Sequence, residues 1–211
     1  MVLVSGGGSN LQSIIDRCQD GTLNGSVECV ISDVADAYAL TRASQHNIPG
    51  LAPSTSSLPR NELEAFINQT LDQVEFDLIV LAGFMKVLSS EFVERYKGRI
   101  INIHPSLLPK YPGLHTHERA LADGEKKHGA TVHFVIPELD AGPIIAKCEV
   151  DVKENDTAEI LQKRVLIEEH KLLPKVIQLF AEDRLRWNDG NIQLDNNSVP
   201  ATGISENLCD D

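Results

Sequence analysis

A chain of 211 residues, 42% hydrophobic and 24% charged, has the length and composition of one folded domain with a substantial core, which excludes disordered, collagenous and disulfide-stapled classes. Its 31 acidic and 19 basic side chains give a formal charge of −12, and the pI is near 5.0; that field disfavours nucleic acid and anionic membrane as partners. A small anionic substrate stays allowed, because helix N-termini and a few placed cations bind phosphate inside an acidic protein.

The chain opens on an apolar run at residues 2–4 that passes directly into Gly6, Gly7 and Gly8, with no basic region before it. It reads as a strand and not as a signal peptide, and with no candidate membrane span the expected compartment is the cytoplasm. Leu11, Ile14 and Ile15 keep helical spacing after the glycines. A strand follows at residues 27–31, a helix through Ala37, Leu40 and Ala43, a short strand near Leu51, a helix at about 61–73, and strands at 77–81 and 100–103. This alternation predicts βαβ units and a mainly parallel sheet flanked by helices. Residues 130–136 and 144–150 are strand-like runs joined by a turn containing Pro137, Asp140, Gly142 and Pro143, which predicts an antiparallel pair in the C-terminal half.

From residue 156 to about 180 the period is helical, with Leu161, Val165, Leu172 and Val176 on one stripe and Pro174 predicting a kink. Glu168 and Glu169 fall within or beside that stripe, where a carboxylate is costly without a partner. Glu169 is then either a ligand-facing group or a helix-edge carboxylate paired with Lys or Arg. Beyond Asp195 periodicity is lost and the chain ends acidic, so residues 191–211 are expected to form a largely irregular, mobile tail. Cys18, Cys29, Cys148 and Cys209 show no Cys-x-x-Cys pair and read as free thiols.

Three constellations carry chemistry. Ser5-Gly6-Gly7-Gly8-Ser9-Asn10 lies between a strand and a helix, where small residues let backbone N–H groups approach a phosphate; it is neither a Walker A loop nor the dinucleotide fingerprint, and a plain capped turn is the alternative. Asn102 and His104 share one side at the carboxyl end of a strand, where a carboxamide and an imidazole can stabilise an acyl-transfer oxyanion and move its proton, unless they merely satisfy loop backbone. Asp140, if near His104, favours the imidazolium. His115-Thr116-His117 lacks a third ligand at a recognisable spacing and reads as the start of a helix, with Thr116 as cap, and not as a metal site.

The segments SGGGSN at 5–10, LAGFMKVLS at 81–89, INIHPSLLPKYPGLHTHE at 101–118 and GATVHFVIPELDAGPII at 129–145 together resemble the phosphoribosylglycinamide formyltransferases, in register from the first strand to about Trp187. The resemblance implies a Rossmann-like formyltransferase fold over residues 1–190, with a phosphate-binding half to about residue 100 and a folate and catalytic half from 101. It implies transfer of formyl from the co-substrate 10-formyltetrahydrofolate to a phosphoribosylated glycinamide, without metal, by a monomer or homodimer. Asn102, His104 and Asp140 would be the catalytic set. Gly8, Ser9, Asn10, Leu11 and Gln12 would hold phosphate and ribose, completed by Leu166, Ile167, Glu168 and Glu169. The folate would lie against Met85, Lys86, Val87, Leu88, Asn102, Ile136, Pro137, Glu138, Leu139 and Asp140, with Arg60 reaching its glutamate tail. Lys86 stands where the family commonly has arginine, and the two are not equivalent as bidentate donors. A tRNA-formylating or folate-hydrolysing relative would carry a further domain for which the chain has no room. A non-catalytic phosphosugar sensor would leave the Asn102, His104 and Asp140 set without a purpose.

Overall fold

In the computed structural model, which describes residues 1–55, 57–188, 190–204 and 208–209, the strand Val2–Val4 (β1) lies inside a seven-stranded sheet. Helix Ser9–Gln19 (α1) leads to Val30–Ser32 (β2), parallel to β1, and Tyr38–Gln45 (α2) leads to Gly50–Leu51 (β3), parallel outside β2. The order then reverses. After Arg60–Leu71 (α3), Ile79–Leu81 (β4) pairs with the other side of β1, and after Ser90–Arg95 (α4), Ile100–His104 (β5) pairs with β4, both parallel. Thr116–Ala122 (α5) precedes Lys127–Phe134 (β6) and Ile144–Asp151 (β7), which extend that edge as an antiparallel pair. The order β3-β2-β1-β4-β5-β6-β7 places the switch point between β1 and β4, where open α/β sheets bind ligands at the strands' carboxyl ends.

Strand alternation divides the core. Val2 and Val4 face one layer with α1, α2 and the long helix Ala158–Ala181 (α6), whereas Leu3 faces the other with α3 and α4. The α/β class, the parallel sheet and the antiparallel pair match what the sequence pattern predicts. Two short helices differ from it. The six-residue α4 has too few residues to display a period; Ser89 caps it through Phe92 N at 3.2 Å. In α5, Thr116 is not the cap: its Oγ1 donates to the Pro105 carbonyl at 2.7 Å, and His115 occupies the cap position at φ 58°. Helix α6 is continuous through buried Pro174.

The irregular tail is corrected in its described part. Leu185–Asn188 (β8), Asn191–Leu194 (β9) and Asn197–Ser198 (β10) form a separate three-stranded antiparallel sheet. Asp195 and Asn196, at φ 51° and 65°, supply the two positive-φ positions of a tight hairpin, and Ile192 is buried in the main core. Ile204 N donates to the Ile145 carbonyl at 2.7 Å, laying the tail along β7. Cys148 and Cys209 are disulfide-paired, with Cα atoms 6.1 Å apart, and are not the free thiols expected; Cys18 and Cys29 are free. Residues 205–207, 210 and 211 of the tail lie outside the described residues. No described helix is long and apolar enough to cross a membrane.

Candidate active site

The glycine turn delivers α1 to the carboxyl edge of the sheet. Gly8 sits at the N-cap with φ 69°, and no side chain caps the helix. A Cβ there would lie 2.6 Å from Ala39 Cβ, so glycine is needed both for the left-handed backbone and for the approach of α2. Arg42 of α2 donates from Nε to the Gly7 carbonyl at 2.8 Å and from Nη1 to Gln12 Oε1 at 3.0 Å. A guanidinium thus stands beside the turn, a feature that no motif in α2 announces.

Asn10 in the first turn of α1 donates to Glu169 Oε2 at 2.6 Å, joining two predicted substrate residues that are 159 positions apart. Burial pushes the Glu169 carboxyl above its usual range, partly offset by this hydrogen bond. Its partner is an amide, not the Lys or Arg of the alternative reading. Asn10 Oδ1 is buried and has no partner among the described residues, an acceptor left for something outside the chain. Leu11 belongs to the core, so only its backbone can meet a ligand; Ile167 is exposed, and Glu168 pairs with Lys171 at 3.3 Å.

Asn102, His104 and Asp140 converge at the end of β5. Gly142 allows the turn between β6 and β7 to fold back, because a Cβ there would meet the Phe134 carbonyl oxygen at 1.8 Å. Asp140, at φ 50°, accepts from Gly113 N at 2.7 Å, and the same oxygen lies 3.5 Å from His104 Nδ1, within ion-pair range but longer than a hydrogen bond. His104 Nε2 is 2.8 Å from the Tyr111 carbonyl, so this nitrogen carries a hydrogen. Each ring nitrogen therefore faces an oxygen, Nε2 at hydrogen-bond distance and Nδ1 beyond it.

His133, which no local motif marks, joins this set. It lies directly across from Asn102 in the β5–β6 ladder, with Asn102 Nδ2 3.1 Å from its Nε2 and Asp140 Oδ1 at 3.7 Å. Burial lowers its pKa, and it stays neutral near pH 7. The available signal was the period-two pattern of β6, but cross-strand register is not local information.

A cleft of about 80 Å³ adjoins the triad. It is lined by Lys86, Val87, Leu88, Asn102, Ile136, Pro137, Glu138, Leu139 and Asp140 from the predicted folate set, and by His133, Leu81, Phe84, Val93 and Val135. Apolar walls closing on an amide, an imidazole and a carboxylate fit a flat heteroaromatic ligand whose reacting end is polar. Met85 and Arg60 do not line it. Met85 is exposed next to Lys86, and Arg60 is exposed at the start of α3. A larger hollow, about 1220 Å³, lies at the opposite end of β1 against Met1, Ile14, Phe76 and Phe180; it contains none of the predicted site residues.

Residues 1–177 match the formyl transferase family. The chain is 44% identical over 208 residues to phosphoribosylglycinamide formyltransferase of Escherichia coli K12, covering 97% of each, and 44% identical over 205 residues to the Haemophilus influenzae enzyme of the same name, again covering 97% of each. It superposes on the solved phosphoribosylglycinamide formyltransferase of Coxiella burnetii with a TM-score of 0.90 at 47% identity, covering 96% of this chain and 95% of that one. The chain belongs to the phosphoribosylglycinamide formyltransferases. In this formyltransferase the histidines that follow His104 before β6 and at its start differ in their surroundings. His115 is exposed, 3.5 Å from Glu118, whereas buried His117 Nδ1 lies 3.1 Å from His128 Nε2. Among the described residues, ligand-type atoms of Cys148, Glu168 and Cys209 lie within 4.8 Å of one another, but both sulfurs are committed to the disulfide.

Proposed function

We propose that the enzyme transfers formyl from 10-formyltetrahydrofolate to the amine of phosphoribosylglycinamide, acting in the cytoplasm on small molecules as a monomer or homodimer, with residues 1–190 as its working domain. The observation that carries the residue assignments is the convergence of Asn102, His104 and Asp140 at the end of β5, where Asn102 and Asp140 line the apolar cleft. The folate supplies an already activated formamide, and the acceptor supplies its own amine, so positioning and charge stabilisation suffice. The α1 N-terminus receives the phosphate, while Glu169 accepts from ribose hydroxyls and the unpartnered Asn10 Oδ1 takes a further donor. Asn102 gives one amide hydrogen to His133 and offers the other to the oxyanion. His104 keeps its Nε2 hydrogen on the Tyr111 carbonyl, while Asp140, 3.5 Å from Nδ1, orients the ring toward the reacting centre.

Folate deformylation followed by absorbance tests this reading. Turnover should require the phosphoribosyl amine, and Asn102→Ala, His104→Ala and Asp140→Asn should each lose on the order of a hundredfold in kcat while still binding both ligands. Equal consumption of folate without the acceptor would make the protein a hydrolase. Full activity in His104→Ala would remove His104 from the mechanism.

A further inference from the structure

We propose that Asp33 is a positioning residue that, through Ser5, ties the phosphate loop to the folate loop, so that each ligand tightens binding of the other. The inference rests on residues 8–12 and 85–88 being the two ligand loops.

The β1–β4 ladder ends where Ala82 N donates to the Leu3 carbonyl at 2.9 Å, and one further backbone bond joins the strands beyond it, from Ser5 N to the Gly83 carbonyl at 3.1 Å. Past that point the chains diverge to form the switch-point crevice, and one side-chain relay bridges them. Met85 N donates to Ser5 Oγ at 2.8 Å, and Ser5 Oγ lies 2.5 Å from Asp33 Oδ1. The direction of this relay is forced. Met85 N can only donate, so Ser5 must accept there and spend its one hydrogen on Asp33.

Asp33 follows β2 and is buried; its second oxygen lies 3.9 Å from Lys86 Nζ. A carboxamide could accept the same hydroxyl hydrogen without placing a negative charge at the edge of a phosphate site. The carboxylate adds two things: a charge-assisted and therefore shorter bond from Ser5, and a pull on Lys86 in the folate loop. The turn is held from its other side as well, since the Gly6 and Gly7 carbonyls accept from Ala39 N at 3.1 Å and Arg42 Nε at 2.8 Å in α2. Phosphate ordering residues 5–12 therefore orders Met85 and Lys86 through Ser5, and the ordering cost of the folate loop is already met when the folate arrives. Linkage makes the effect reciprocal.

The test is calorimetry on the full chain with phosphoribosylglycinamide and tetrahydrofolate as probes, each titrated alone and against protein saturated with the other. The native protein should show mutual tightening of about fivefold or more. Ser5→Ala should abolish it, Ser5→Thr should keep it, and Asp33→Asn should reduce it to about twofold at most while changing each ligand's separate affinity less. A merely structural role would instead weaken each ligand alone and leave the ratio intact, and that pattern in Asp33→Asn overturns the relay even if Ser5→Ala does not fold. Independent binding in the native protein, or tightening retained in Ser5→Ala, overturns it too. Native protein that takes up no phosphoribosylglycinamide would overturn the functional reading and the relay with it, whereas binding of both without coupling defeats the relay alone.

Discussion

His133 has its Nδ1 hydrogen committed to the Phe134 carbonyl at 2.9 Å, and burial keeps the ring neutral, so Nε2 can only accept and the contact with Asn102 must run from amide to ring. This fixes which end of the Asn102 carboxamide is the nitrogen and leaves one N–H for the oxyanion. His133→Ala frees the amide to rotate. Because misplacing an oriented group by about 1 Å can cost on the order of a hundredfold, kcat should fall at least about tenfold with KM nearly unchanged. The double change with Asn102→Ala should add little to the worse single change, as groups acting as one unit do. Steady-state kinetics on the three variants measures both expectations, and simple multiplication of the two losses would show that His133 acts independently of Asn102.

Among the elements, the entry to α1 and the tail give opposite lessons. Gly8→Ala must adopt φ 69° with a side chain and push α2 away from a 2.6 Å contact with Ala39. It should lower the melting temperature and weaken phosphoribosylglycinamide more than the folate, because the first turn of α1 moves while the cleft beside β5 does not. Equal losses for the two ligands in calorimetry would count against the phosphate assignment. For the tail, composition alone argues that removing residues 196–211 is silent. The structure reverses that expectation, since β10, the Ile204–Ile145 hydrogen bond and the Cys148–Cys209 link all disappear with the segment. A loss of a few kcal/mol should lower the melting temperature by about 5 °C or more for a chain of this length, and a reductant should narrow the gap between the two proteins. Calorimetric melts with and without reductant measure this.

At the scale of the whole molecule, the buried histidines should make stability fall with acid below about pH 6.5. Burial lowers His128 to about 4 and lowers its neighbour His117 as well. An unfolded histidine titrates near 6.5, so between about pH 6.5 and 4 the unfolded chain binds protons that the folded chain refuses. The contribution is therefore complete above about pH 6.5 and is lost as pH falls through this window, amounting to about 2 kcal/mol for His128 between pH 7 and 5. The Met1 amine, lowered to about 6 by burial, loses its share higher, between about pH 8 and 6, while the raised Glu169 carboxyl acts in the opposite sense. Urea midpoints at pH 7 and 5 should fall steeply in the native protein and less in His128→Gln. Equal slopes in the two proteins would mean that His128 is not the acid-labile group.

Period and punctuation determined a large part of this protein without tertiary information. The order of strands and helices, the apolar stripe of the long helix, and the position of the Gly6–Gly8 turn and of Asn102 and His104 at strand ends all follow from patterns within a few residues of one another, which is the range over which φ/ψ sterics and side-chain period act. The helix α4 escaped because it is less than two turns long, and β10 because two residues are too few to display a period. The register that sets His133 against Asn102, the fold-back that brings Asp140 to His104, the reach of Asn10 to Glu169 and of Asp33 to Ser5, and the meeting of Cys148 with Cys209 were decided only by the assembled sheet. Each joins residues between 28 and 159 positions apart. No local pattern encodes such pairs, because their free energy comes from burial and hydrogen bonding that exist only after the layers have packed.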